Sequence, residues 1–307
     1  MFTKIDENLF ATFKSKYNWL SKDNKIEEYI DPEYYNRILK EYSFAGESDL
    51  VIFEKFLNAN SSPKSVLELG CGSGRVTDTF INCCNKMNWL CQLDILDLSN
   101  RMLDYCKNKY TDNQMISYIN SDTFSYLENC NKKYDIVYSL WSYSHSIHQI
   151  LPKLGYEKGK EYIIKTLKKF IINNLNENGK IFIIHFDTKS DEQRILIDQW
   201  KKLYNMFSDT TKQSPSLLIT EHVLKDLQVN GVIDYKIQHL VGDEIIYENE
   251  NLALETFLNF HMESEFNDLA ILPQVIEELK NYFACYQTKD GKIKIRPGCF
   301  VIQIEKR

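Results

Sequence analysis

Ser65-Val-Leu-Glu-Leu-Gly-Cys-Gly-Ser-Gly-Arg75 is an apolar run that breaks into spaced glycines just before a helical pattern begins. The chain therefore passes from a strand into a helix through a glycine turn. Glycine is required where the backbone must turn sharply and come close to a ligand, because a β-carbon there would collide with it. A nicotinamide dinucleotide site needs G-x-G-x-x-G, but the position that would complete it is Arg75 counting from Gly70 and Thr77 counting from Gly72. That spacing rules the dinucleotide out. Glu68, just ahead of the glycines, favours a ligand carrying an ammonium and a sulfonium over a pyrophosphate.

Outward from this turn, strands and helices alternate. Strands are expected at 65–69, 91–97, 115–119, 134–140 and 180–186, and helices at 73–87, 99–109, 122–130 and 160–175. Such alternation implies a mostly parallel sheet with helices on both faces. Ahead of it, residues 1–60 form a Tyr-rich helical leader, with Asp31-Pro32-Glu33 as a helix start. Beyond it, 231–240 and 300–305 supply two more strands, interrupted by helices expected at Asn251–Glu263 and Leu272–Tyr286. The expected architecture is an α/β, Rossmann-like, seven-stranded sheet. Its expected divisions are a leader or lid at 1–60, a core at 61–245, a helical insertion at 246–290 and a last strand at 291–307.

Two further acids fall at strand ends. Asp97, in Leu96-Asp-Leu-Ser-Asn-Arg-Met102-Leu, lies a little over twenty residues after Gly74, where a carboxylate suits the two hydroxyls of a ribose. Asp122, in Ser121-Asp-Thr123, is placed to accept from an adenine amino group.

With Tyr134-Asp-Ile-Val137, these segments resemble the class I S-adenosylmethionine-dependent methyltransferases over about residues 60–190. The resemblance implies S-adenosylmethionine as cofactor, with Glu68, Gly70, Gly72 and Gly74 along its methionine portion. It also implies Asp97 on the ribose and Met102 and Asp122 around the adenine, with Thr123 and Leu140 counted in the same site. Ser139-Leu-Trp-Ser stands where enzymes methylating nucleobase or glutamine amide nitrogens carry Asp/Asn-Pro-Pro-aromatic. The late strands separated by helices are also similar to those of small-molecule N-methyltransferases. That likeness, with Glu263, Glu265 and Asp268, tilts the expected acceptor towards a small amine.

Composition narrows the setting. With 43% apolar and 26% charged residues among 307, the chain reads as globular. A net charge of −6 gives a polyanion no electrostatic help, so nucleic acid is not expected as a partner. No apolar window spans a membrane and no secretory leader is visible, so a cytoplasmic location is expected. Eight cysteines without a C-x-x-C pair suit reduced, buried thiols.

Methyl transfer asks a protein to align the acceptor, exclude water and keep the acceptor unprotonated. The run Leu140-Trp-Ser-Tyr-Ser-His145-Ser-Ile-His148 offers Tyr143, His145 and His148 for catalysis, and Trp141 and Ser144 for substrate contact. His185 and Asp187 share one face of their strand and are further catalytic candidates. His261 falls on a helical stripe in the insertion and is a substrate-contact or lid candidate. Tyr29, Tyr34, Tyr35 and Tyr42 offer closure from the leader side. His145, His148, His185 and Asp187 are competent metal ligands, but their spacing matches no metal motif, so no metal is expected. The expected reaction is N- or O-methylation of a small molecule. The alternative is a cyclase or aminocarboxypropyl-transfer enzyme, such as an azetidine-2-carboxylate synthase, which would release methylthioadenosine.

Overall fold

The computed structural model describes residues 3–20, 32–209 and 212–307, with residues 32–35 described by backbone only. Asp31 and Tyr29 lie outside the described residues, as do the side chains of Pro32, Glu33, Tyr34 and Tyr35. Seven strands form the central sheet: β1 Ser65–Leu69, β2 Gln92–Asp97, β3 Ile116–Asn120, β4 Tyr134–Leu140, β5 Leu175–Phe186, β6 Ile233–Val241 and β7 Gly298–Lys306. Their order is β3-β2-β1-β4-β5-β7-β6. The first five run parallel, and β7 enters antiparallel between β5 and β6. The order reverses between β1 and β4, and in open α/β sheets the crevice at that reversal, beyond the strand ends, is where ligands bind.

Alternating side chains build one core on each face of the sheet. Val66, Ile95, Tyr138, Phe182 and Val301 pack beneath the helices Asp49–Asn58 and Arg75–Met87. Leu67, Val137, Ile183 and Ile302 join helices Ser142–Leu154, Tyr156–Asn174 and Pro215–Val229 on the other face. Strands buried on both sides explain the near-continuous apolar runs in the sequence. Caps fix where the helices start. Ser99, Asp122, Ser190 and Ser214 each accept a hydrogen bond from a main-chain N–H of the first turn.

Four elements depart from the sequence reading. The Leu140–His148 run, expected as an active-site loop, is mostly the first two turns of helix Ser142–Leu154. Trp141 makes the break before it, with φ of 72°, a left-handed conformation that costs a bulky residue energy. Helices Asp191–Trp200 and Pro215–Val229 had no counterpart in the reading. The expected helix Asn251–Glu263 is an α-helix, Glu250–Glu255, that widens into a π-helix over Thr256–His261.

The insertion is anchored at its base, where Ile245–Tyr247 pairs antiparallel with Ile293–Ile295. The leader is tied to its far side: Ile5 N–H donates to the Asp268 carbonyl at 3.0 Å and the Trp19 indole to Asn251 at 3.1 Å. Among the described residues no helix is long and apolar enough to cross a membrane, and all eight cysteines are free.

Candidate active site

The glycine turn is held to its neighbour by two hydrogen bonds, from the main-chain N–H groups of Gly70 and Cys71 to the Leu96 carbonyl at 2.8 and 3.0 Å. A β-carbon on Gly70 would lie 2.2 Å from the Ser142 hydroxyl oxygen, so packing alone demands glycine there. Gly72 differs. Its φ is +50°, nothing stands within 4 Å of where its β-carbon would be, and it faces a cavity of about 380 Å³. That open cradle is what a ligand lying along the backbone needs.

Asp97 forms the next wall of the cavity. One carboxylate oxygen accepts from Gly72 N–H and the other from Ser99 N–H, each at 2.8 Å. Burial pushes its carboxyl up and these backbone donors pull it down. Its remaining lone pairs are available to a ligand's hydroxyls. Met102, Asp122 and Thr123 continue the same wall. So does Leu98, which the sequence reading missed. Its large apolar side chain is 46% exposed inside a core strand's exit, the signal that marks a flat ligand surface.

Beyond Gly72 the wall turns aromatic. Trp141 packs against Phe186 and Tyr42, with ring centroids 4.9 and 5.6 Å apart. His145 meets Phe186 edge-on, and its Nδ1 lies 3.6 Å from a Glu263 carboxylate oxygen. Ser144, His148, His185, His261, Glu263 and Glu265 also line this end. His148 is half-buried, its Nε2 is enclosed with no hydrogen-bond partner, and burial holds it well below the ordinary imidazole range. His185 is tied at both nitrogens, to the Phe186 carbonyl and the Ser216 hydroxyl, each at 2.8 Å. The carbonyl can only accept, so Nδ1 carries the proton and Ser216 donates to Nε2. Burial brings His185 down to about 4, so it stays neutral and has no lone pair left for a substrate proton.

Five expected site residues do not line the cavity. Tyr143 turns into the opposite core, where its hydroxyl pairs with Thr220 at 2.9 Å, because the first helical turn rotates it away from Trp141 and Ser144. Asp187 pairs with His239 Nε2 at 2.7 Å, towards β6. Leu140 is packed in the core, and Gly74 faces Tyr110 instead of the cavity. Glu68, expected along the cofactor, points beneath the turn and accepts from Thr77 at 2.6 Å and Tyr138 at 3.0 Å. Burial pushes it up to about 8 against those two hydrogen bonds.

Glu68 therefore makes stability depend on pH in a defined direction. A carboxyl raised in the fold keeps a proton that the unfolded chain has released, so stability falls as pH rises from the ordinary carboxylate range through about 8. Glu68→Gln keeps an acceptor oxygen for both hydroxyls and carries no titrating proton. Urea unfolding at about pH 6 and about pH 9 should show the wild type losing more stability than the variant. Parallel curves would remove Glu68 from the account.

Residues 66–154 match a family model described as a methyltransferase domain. No curated protein matches. Among solved structures, phosphoethanolamine N-methyltransferase 2 of Haemonchus contortus, bound to phosphomonomethylethanolamine and S-adenosylhomocysteine, is similar at 14% identity and a TM-score of 0.49. The match covers 95% of this chain and 60% of that one. The plantazolicin methyltransferase BpumL, in complex with S-adenosylhomocysteine, is similar at 16% identity and 0.46, over 98% of both chains. A methyltransferase of Geobacter sulfurreducens, also with S-adenosylhomocysteine, is similar at 13% and 0.42, over 99% of both. At such values these likenesses carry nothing about what this chain acts on.

Proposed function

We propose that this chain, which carries an S-adenosylmethionine-dependent methyltransferase domain over residues 66–154, methylates a small-molecule amine in the cytoplasm. Gly72, Asp97, Leu98, Met102 and Asp122 would hold the cofactor, on the support of the open glycine cradle and the paired acids beside it. When bound, the cofactor supplies an electrophilic methyl carbon, to which the acceptor's lone pair bonds as the carbon–sulfur pair stays on sulfur.

The observation that carries the amine reading is the pairing of carboxylates with aromatic rings at the far end of the cavity. Glu263 and Glu265 stand there opposite His145, with Trp141, Phe186 and Phe260 around them. Burial, and the neighbouring Glu263 and Asp268, raise the Glu265 carboxyl, so a cation arriving beside it relieves a like-charge cost. Rings that present their faces to a cation add to this. Trp141 and Ser144 contact the acceptor in this reading, while His145 and His148 border it. The aromatic wall also excludes water from the acceptor nitrogen.

Incubating the protein with S-adenosylmethionine and an amine library, followed by mass spectrometry, tests the reading. S-adenosylhomocysteine and a methylated amine are expected only when an acceptor is present. Methylthioadenosine without an acceptor would overturn methyl transfer in favour of cyclisation. Glu265→Gln should raise KM for the amine about tenfold, equivalent to about 1.4 kcal/mol, while S-adenosylhomocysteine binding stays unchanged. An unchanged KM would remove Glu265 from recognition.

A further inference from the structure

The insertion delivers its polar residues to the cavity through an unusual piece of backbone. The π-helix Thr256–His261 ends in a turn where Glu263 and Ser264 both have left-handed φ, 48° and 58°. π-turns inside helices and left-handed non-glycine residues each cost energy, and both concentrate at functional sites. Here they bring His261, Glu263 and Glu265 to one wall of the cavity.

His261 is the unusual member. Its side chain is 3% exposed and packs between Phe257 and Phe260, with ring centroids 4.9 and 5.0 Å away. Its Nε2 is buried, has no hydrogen-bond partner and lies 3.8 Å from Oε2 of Glu192. Glu192 is itself 1% exposed. It accepts from the Tyr42 hydroxyl and from Gln193 Nε2, and His261 is a side chain beside it that can become positive. A buried carboxylate held by neutral donors is costly, and it gains most from a neighbour that becomes positive.

We propose that His261 is the proton acceptor for the incoming nucleophile, and that Glu192, fixed by Tyr42, is the positioning residue whose charge stabilises the imidazolium that results. The proposal rests on the amine reading of the cavity. Nε2 faces Glu192, which leaves Nδ1 for the cavity. An ammonium acceptor has no free lone pair until it sheds a proton. Its N–H bond breaks, a bond from Nδ1 to that hydrogen forms, and the electron pair remains on the acceptor nitrogen for methylation. The proton on Nε2 then points at Glu192, and 3.8 Å closes to a charge-assisted hydrogen bond. Burial lowers His261 and Glu192 raises it, so the resting imidazole is neutral and ready to accept. The titratable groups facing it are Glu192 and Tyr42 from the elements packed against it, with Glu263, Glu265 and His145 on the cavity wall.

The test compares the wild type with His261→Asn, Glu192→Gln and Tyr42→Phe, using S-adenosylhomocysteine binding as the control for folding. His261→Asn should lose roughly 10²- to 10⁴-fold in kcat with cofactor affinity intact. Its rate should climb with pH as the amine deprotonates unaided, without the wild-type limb. His261→Gln provides the same reading if the Asn variant does not fold. Glu192→Gln should lower the imidazole titration of His261, followed by NMR, by about one unit or more, and Tyr42→Phe by less. Wild-type kcat and pH profile in a folded His261→Asn protein would overturn the proposal. If the wild type methylates no amine, the amine reading fails separately, and the NMR titration alone decides the pair. An unmoved His261 in Glu192→Gln would then overturn it.

Discussion

Asp97→Ala should all but abolish cofactor binding, with affinity for S-adenosylhomocysteine falling at least a hundredfold in titration calorimetry. Three losses combine. The carboxylate that suits the ribose hydroxyls goes, and a charge-assisted contact of that kind contributes about 1.5–3 kcal/mol. The Gly72 N–H loses its acceptor at 2.8 Å, so the glycine with open space beside its backbone is no longer held in its left-handed conformation. The Ser99 N–H loses its acceptor as well, and Ser99 caps the helix that carries Met102. About 3 kcal/mol in total corresponds to more than a hundredfold in affinity. Asp97→Asn separates the parts. An amide retains one acceptor oxygen for one of the two main-chain donors, so its loss should be smaller than that of Asp97→Ala. Unchanged binding in Asp97→Ala would place the ribose elsewhere.

Asp97 also shows which kind of site residue a sequence can disclose. It ends a strand whose apolar alternation fixes the boundary, and a fixed distance from the glycines does the rest. Gly70, Gly72, Met102 and Asp122 were readable for the same reason, since each is set by a strand end and the turn after it. Glu68 occupies the expected strand position, yet the parity of β1 sends its side chain to the face carrying Val66, under Thr77 and Tyr138. Spacing gave the position, but only the strand parity gave the direction.

The acceptor half was less readable. Tyr143, Ser144, His145 and His148 are close neighbours in sequence, but a helix spreads adjacent residues around its axis. A helical template would have kept Trp141, Ser144, His145 and His148 on one side and rotated Tyr143 away. Glu192 carries no local signal, and Tyr42 reads as a pocket-closing tyrosine without pointing to Glu192. With His261 they come from three separate segments, and only tertiary packing shows that one buried carboxylate joins them. The π-helix that aims His261 has no sequence pattern distinct from an α-helix.

The largest expected loss of stability comes from Asp49→Ala, at a residue the sequence reading never singled out. Asp49 is fully buried, and its carboxylate accepts from both terminal nitrogens of Arg75 and from the Trp141 indole N–H at 2.7 Å. Arg75 follows the glycine turn directly, and Trp141 holds the strained break after β4. One side chain thus ties the leader to both segments that border the cavity. Removing it takes this carboxylate from a guanidinium only 12% exposed and leaves the indole N–H without its acceptor, together costing about 3–5 kcal/mol. Single domains are stable by about 5–15 kcal/mol, so thermal unfolding should fall by on the order of 10 °C. A double-mutant cycle isolates the cause. Asp49→Leu combined with Arg75→Met exchanges the buried charges for apolar groups and should recover much of the loss, leaving mainly the indole deficit. Purely additive losses would mean that the ion pair contributes nothing as a pair. In that case the stability of this corner would rest on the packing of Trp141 against Tyr42, Phe44 and Phe186.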